Sequence, residues 1–322
     1  MIMDKRSVAV IQLVFTGILW SLSGLFIKSI ALHPFAISSI RSAFAALVLL
    51  TYIKFRPKFS FSKAQIIGAL CYVGTVSLFV FANKTTTAAN AILLQYGAPI
   101  YVAFLGYWIL SERLRWFDYV AVAGIAVGMI VFFADSVSGG GTLGNILAAL
   151  SGFTFAAQAV CVRLQKDGGG FETILLGNLI AMAIGIPFVI TGPPSVAQMP
   201  PLMFLGIFQL GVAYLLYSLA SRNVTALDMM IIPMLEPILN PVWVFIFLGE
   251  RPGVFALIGG TIVFIAVGFK SYFSLSQSAF ELTRLEKGKP FVTTAFSELK
   301  PAVTSERAIK GESSEPDRQP IS

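Results

Sequence analysis

Apolar runs separated by glycine, proline or charged residues fall at about 8–29, 35–53, 64–82, 88–110, 117–134, 143–163, 171–191, 200–220, 226–248 and 253–273. About 20 apolar residues at a rise of about 1.5 Å each cross a hydrocarbon core about 30 Å thick, so each run predicts a membrane-spanning helix. The pattern predicts an all-α polytopic membrane protein with ten transmembrane helices. Lys5 and Arg6 precede the first run as they would precede a signal peptide, but its spanning length favours a retained helix. Beyond Ser274 the pattern ends. Residues 275–322 are polar and punctuated by Pro290, Pro301, Pro316 and Pro320, which predicts a mostly disordered tail with room for a short amphipathic helix around Phe280 to Leu285.

Charge sets the expected topology. Lys5, Arg6, Lys54, Arg56, Lys58, Lys63, Arg113, Arg115, Arg163, Lys166, Arg222 and Lys270 fall on one side of the alternating connections, against Lys28, Lys84 and Arg251 on the other. The positive-inside rule then places both termini, and the tail, in the cytoplasm. The net charge of +7 belongs to this pattern and not to nucleic-acid binding, because the tail is charge-balanced. Only 12% of residues are charged and the mean hydropathy is +0.81, which excludes an ordinary soluble domain, where about 25% are charged. Cys71 and Cys161 lie inside apolar runs, so no disulfide framework is implied. His33 is the single histidine, and no metal-binding or GxxxxGK[ST] motif occurs, so neither metal nor cofactor is expected and ATP hydrolysis cannot drive the chain unaided.

The run from Thr225 to Arg251, TALDMMIIPMLEPILNPVWVFIFLGER, places Glu236 about ten residues, or roughly 15 Å, into an apolar segment. A central charge costs roughly 2.5–3.5 kcal/mol on insertion scales, so it faces a cavity, finds a partner or stays neutral. Pro233, Pro237 and Pro241 bracket it and predict a kink, with Asn240 on its face and Trp243 near it. The plainer alternative is a kinked helix whose glutamate makes one structural hydrogen bond.

The chain also repeats internally. An offset of 138 lays Thr87-Ala88 on Thr225-Ala226, Pro99 on Pro237 and Glu112-Arg113 on Glu250-Arg251, while 135 or 136 lays Trp20 on Phe155, Lys28 on Arg163 and Phe35 on Phe171. Two five-helix units, 1–135 and 140–273, follow, with 275–322 as the tail. Five being odd, the second unit enters the membrane upside down, as in secondary transporters whose site lies near the midplane beside a broken helix. Glu236 has Ala98 as its counterpart, so symmetry does not require it.

The segment order, the paired blocks PIYVAFLGYWILSER and PILNPVWVFIFLGER, and ISSIRSAFAALVLL in the second segment resemble the drug/metabolite transporter superfamily in its EamA-type ten-helix branch, over essentially all of 1–273. The resemblance implies an inverted-repeat fold, a central cavity lined by helices one to four and six to nine, and alternating access. It also implies cargo among amino acids, nucleotide-like metabolites, sulfonium compounds or drugs, and identifies fold better than cargo.

Polar positions inside the segments complete the candidate site. Ser151, Thr154, Gln158, Cys161 and Gln165 form a stripe on the sixth segment, and Trp20 with Thr16 and Ser23 are its equivalents in the first. Interhelical hydrogen bonding is the competing role for each Ser or Thr. Tyr214 and Tyr217 offer rings for stacking on a planar or cationic cargo, or for packing. Arg41 either holds a substrate carboxylate, pairs with Glu236, or snorkels to headgroups. Asn178 is a weaker candidate. Glu112 and Glu250 are expected to pair with adjacent arginines or to cap the next helix, and Gly124 and Gly128 to pack within one chain.

The expected function is a secondary transporter of a small metabolite, such as an amino acid, a sulfonium or nucleoside-like compound or a cationic drug, in a cell membrane that the resemblance makes a bacterial inner membrane. The expected site comprises Trp20, Arg41, Gln158, Tyr214, Tyr217, Glu236 and Asn240. Protons coupled through Glu236, exchange and facilitated diffusion fit equally, and the oligomeric state stays open. A receptor signalling through the tail is the alternative. A membrane-embedded enzyme is the weaker one, since the chain lacks a clustered base and nucleophile.

Overall fold

The computed structural model describes residues 4–86, 88–133, 141–166, 168–248 and 254–286. Among them every regular element is helical. The first expected span divides into α1 (Lys5–Trp20) and α2 (Ser23–Ser29), followed by α3 (Pro34–Tyr52) and α4 (Lys63–Thr85). The fourth divides into α5 (Ala88–Gln95) and α6 (Ala98–Leu110), followed by α7 (Trp116–Phe133), α8 (Thr142–Leu164) and α9 (Gly170–Thr191). The eighth comprises α10 (Met199–Phe204), a π-helical stretch Leu205–Val212 and α11 (Ala213–Ala220). The ninth comprises α12 (Ala226–Ile231), a 3₁₀ stretch Ile232–Leu235 and α13 (Glu236–Leu248), and α14 (Val254–Glu286) closes the described chain.

Six helical segments are long and apolar enough to cross a membrane: Lys5–Ser29, Pro34–Tyr52, Lys63–Thr85, Thr142–Leu164, Gly170–Thr191 and Val196–Ala220. Shorter apolar helices, Ala98–Leu110, Trp116–Val131, Ala226–Leu235 and Leu257–Lys270, fall where the other four spans were expected. The described residues up to Phe280 form one compact unit. The last helix runs on to Glu286, past the end expected near residue 273, so the first part of the expected tail is helical. The expectation of disorder for 287–322, the Glu250-Arg251 block and most of the loop around Gly139–Gly141 lie outside the described residues.

Local chemistry accounts for the helix starts. His33 caps α3 by accepting from the Phe35 amide at 3.3 Å, with Pro34 at the first helical position. Ser62 caps α4, and Thr225 with Asp228 forms a reciprocal capping pair at the start of α12. The predicted kink beside Glu236 is the 3₁₀ stretch around Pro233, which ends where Glu236 opens α13. A second break, at Tyr96 and Gly97, was not foreseen, although the 138-residue offset lays it on that same stretch.

Two glycines let these breaks pack tightly. A Cβ on Gly17 of α1 would lie 2.6 Å from the Pro233 carbonyl oxygen, and one on Gly152 of α8 would lie 2.6 Å from that of Gln95. The offset of 135 relates the two glycines, and 138 relates Gln95 to Pro233. In lipid, where burial from water drives little helix association, small residues permit this backbone approach. The same holds for the Gly124 and Gly128 pair, which packs against Ala266 and Gly259 of α14 within the chain.

Gly17→Ala and Gly152→Ala should each lower the thermal midpoint of the detergent-solubilised protein, at a cost of about 1–3 kcal/mol for overpacking. Gly106→Ala, whose Cβ would meet nothing within 4 Å, should leave the midpoint unchanged or slightly raised. Equal melting of all three variants would show that the glycine contacts do not hold the breaks.

Candidate functional site

The interruptions gather their ends around one small cavity of about 30 Å³, lined by Trp20, Phe79, Phe155, Leu210, Arg41, Gln95, Gln209, Tyr214 and Glu236 among others. Trp20 ends α1, Gln95 ends α5 and Glu236 opens α13.

Glu236 is 5% exposed, yet both carboxylate oxygens are engaged. Tyr96 donates its hydroxyl to Oε2 at 2.6 Å, and Ser23 donates to Oε1 at 3.3 Å. The position at the first turn of α13 adds the favourable end of a helix dipole. A carboxylate can thus be held inside the protein without a cation in contact. Nearby, Trp243 donates its indole N–H to Ser21 Oγ at 2.8 Å, inside the break between α1 and α2.

Arg41 is 2% exposed and lines the cavity, so it does not snorkel. Its Nη2 donates to Gln209 Oε1 at 2.7 Å, while Nε and Nη1 have no hydrogen-bond partner among the described residues. The described ion pairs include none between Arg41 and Glu236. Among the three sequence readings, the geometry leaves Arg41 with donors to spare.

An aromatic wall surrounds Trp20, whose ring centroid lies 5.1 Å from Tyr214, 5.4 Å from Phe155 and 5.5 Å from Tyr217. The Trp20 indole N–H has no partner. Of the seven residues expected at the site, Trp20, Arg41, Tyr214 and Glu236 line the cavity. Tyr217 stands one layer behind, against Trp20, and is not itself a lining residue. Gln158 is fully buried but is not among the lining residues, and both of its amide atoms lack a partner. Asn240 lies in α13, with its side chain outside what the structure describes.

The rest of the α8 stripe follows the hydrogen-bonding alternative. Ser151 accepts from Gln95 at 2.7 Å and donates to the Thr75 carbonyl, Thr154 meets Thr75, and Gln165 donates to Thr173. Thr16 donates to main-chain carbonyls, and Asn178 is fixed by Tyr72 at 2.9 Å. Sequence reasoning missed Ser23 as a partner of Glu236, and missed Tyr96, Gln95 and Gln209 altogether. A polar Gln209 inside an apolar run was the one available signal for the last.

A second polar assembly lies near the ends of α1, α6, α7, α8 and α12 and midway along α14. Lys270 bridges Asp118 and Asp228, the latter at 3.0 Å, while its ammonium stands 4.9 Å from the Phe117 ring centroid. Arg6 pairs with Asp228 at 3.3 Å. Glu112 pairs with Arg163 at 2.9 Å and accepts from the Ala226 amide at 2.9 Å, not with an adjacent arginine as expected. It still caps a helix, but one 114 positions away in sequence. Among the described residues no group of three His, Cys, Asp or Glu is placed to hold a metal.

Comparison with known proteins adds ancestry to this geometry. The profile of the EamA-like transporter family matches residues 7–134 and again 142–272. An uncharacterized transporter of Clostridium kluyveri is 25% identical over 68% of this chain and 74% of its own. An uncharacterized transporter of Archaeoglobus fulgidus is 26% identical over 79% and 94%, and a biotin transporter of Salmonella typhimurium is 28% identical over 66% and 76%. A solved crystal structure superposes over 84% of this chain and 99% of its own, with a TM-score of 0.67 and 19% identity, a likeness of fold.

Asp228→Ala should destabilise the protein by about 3–5 kcal/mol, because Lys270 and Arg6 lose a buried partner. Thermal unfolding in detergent reads the effect. Wild-type melting of that variant would mean that the ion cluster does not hold this end together.

Proposed function

The chain belongs to the EamA-like transporter family, and on that premise we propose that it carries a small metabolite across a membrane by alternating access, with the central cavity as the substrate site. It is a multi-pass membrane protein and a transporter of small molecules. The observation that carries the site is a buried cavity with an arginine and a glutamate in its walls, at the ends of interrupted helices. Irregular backbone at membrane depth is tolerated where it lines a cavity or is buried in protein.

The finer reading has ten crossings in two inverted five-helix units, 1–135 and 140–273, with both termini on the cytoplasmic side of a bacterial inner membrane. The twofold match to one family profile supports it, as do the equivalent glycine contacts at the two breaks. In the cycle the units rock about the cavity, and the ion cluster around Asp228, Lys270 and Arg163 closes one entrance while the other is open. Trp20, Arg41, Tyr214, Tyr217, Glu236, Gln158 and Asn240 contact or shape the cargo, and Glu236 exchanges its Tyr96 and Ser23 partners, or its proton, between states. A similar protein named as a biotin transporter makes biotin a first compound to test beside amino acids, sulfonium and nucleoside metabolites and cationic drugs.

Reconstituted vesicles read the proposal directly. Uptake of at least one of these compounds should appear in wild-type vesicles and be absent from protein-free ones. With protons coupled through Glu236, wild-type uptake depends on pH and Glu236→Gln removes that dependence. Wild-type uptake that is flat across pH would sink coupling and leave exchange or facilitated diffusion.

A further inference from the structure

On the reading of the cavity as the substrate site, we infer that the cargo is an anion whose carboxylate is held by Arg41, in preference to a cation. The inference starts from hydrogen-bonding capacity left over in the walls. The acceptor oxygens of Glu236 and Gln209 each already accept one bond: Oε2 and Oε1 of Glu236 from Tyr96 and Ser23, and Oε1 of Gln209 from Arg41 itself. The fully buried side-chain atoms of the lining residues that have no partner among the described residues are all donors: Nε and Nη1 of Arg41 and the indole N–H of Trp20.

A guanidinium keeps its charge in proteins and presents two edges, each able to give a carboxylate two parallel N–H bonds. Gln209 takes one hydrogen of Nη2, so whichever edge it occupies, the other keeps two donors. A buried charge left with open donors is costly unless an anion meets it. No described acid of the protein forms a contact ion pair with it. Glu236 is committed elsewhere, and Glu112, Asp118 and Asp228 belong to the ion cluster at the helix ends. A cationic cargo would instead be placed beside the like charge of Arg41, which repels it. The aromatic wall of Trp20, Phe155 and Tyr214 suits a flat or apolar body attached to the carboxylate.

Three compounds of one shape separate the classes: phenylbutyrate, phenylbutyramide and phenylbutylamine, with biotin and its primary amide as a second set. Each is added to the detergent-solubilised protein in a thermal-shift titration, and uptake of each is followed in reconstituted vesicles. The acids should stabilise the protein, and the amides and the amine should require at least about tenfold more compound for an equal shift, the worth of one charge-assisted hydrogen bond. Arg41→Lys keeps a charge but loses the fork, and should weaken the acids by about tenfold while leaving the amides where they were.

Amide or amine binding as strong as the acid, or no shift with either acid, overturns the inference. The wild-type comparison decides this even where Arg41→Lys fails to fold, and full acid affinity in a folded Arg41→Lys protein overturns it as well. Uptake of the amine without the acid leaves transport standing and removes the anion. Binding of the acids with no compound entering the vesicles does the opposite, removing transport and keeping the carboxylate site.

Discussion

The rest of the structure depends on backbone leaving the helix within apolar segments and still being packed. Peptide groups there cannot turn to water, so a break survives only where neighbouring helices come close. Gly17 and Gly152 permit that approach, each leaving room for a main-chain oxygen where a Cβ would clash at 2.6 Å. With these contacts in place, Tyr96 from one break reaches Glu236 at the end of the other. A larger residue at either glycine would separate the elements that build the cavity.

Charge is then handled in two ways. Near the ends of α1, α6, α7, α8 and α12 and midway along α14, opposite charges are paired in a cluster that ties together helices distant in sequence. In the cavity the charges are kept apart, the glutamate held by hydroxyls and the arginine by a single amide oxygen. Pairing favours a closed and stable end, whereas separation leaves polar capacity for a ligand. The two arrangements fit the proposed cycle, in which one assembly opens and closes and the other binds.

Much of the path to this picture was local and therefore readable. Pro233, Pro237 and Pro241 announced the break before Glu236, because a missing amide hydrogen and a ring clash act within one turn. The Gln95-Tyr96-Gly97 break carried no such mark, having only the repeat offset to betray it. The α8 stripe misled in part: the periodicity correctly put Ser151, Thr154 and Gln158 on one face, yet Ser151 and Thr154 are spent on neighbouring helices and Gln158 does not reach the cavity. Periodicity says which side of a helix a residue is on, and nothing of what lies opposite.

The sequence by itself determined the membrane-embedded helical class, a glutamate set deep inside an apolar run, and the family, since hydropathy, proline and short-range motifs act along the chain. Only the tertiary structure decided which polar groups are satisfied. Glu236 meets Tyr96 and Ser23 across separations of 140 and 213 residues, and Arg41 meets Gln209 across 168. Such pairings are set by how helices cross and where they break, through packing distances of a few tenths of an ångström that no linear pattern records. That is why a glutamate that looked like the open charge is the occupied one, and the arginine keeps its donors free.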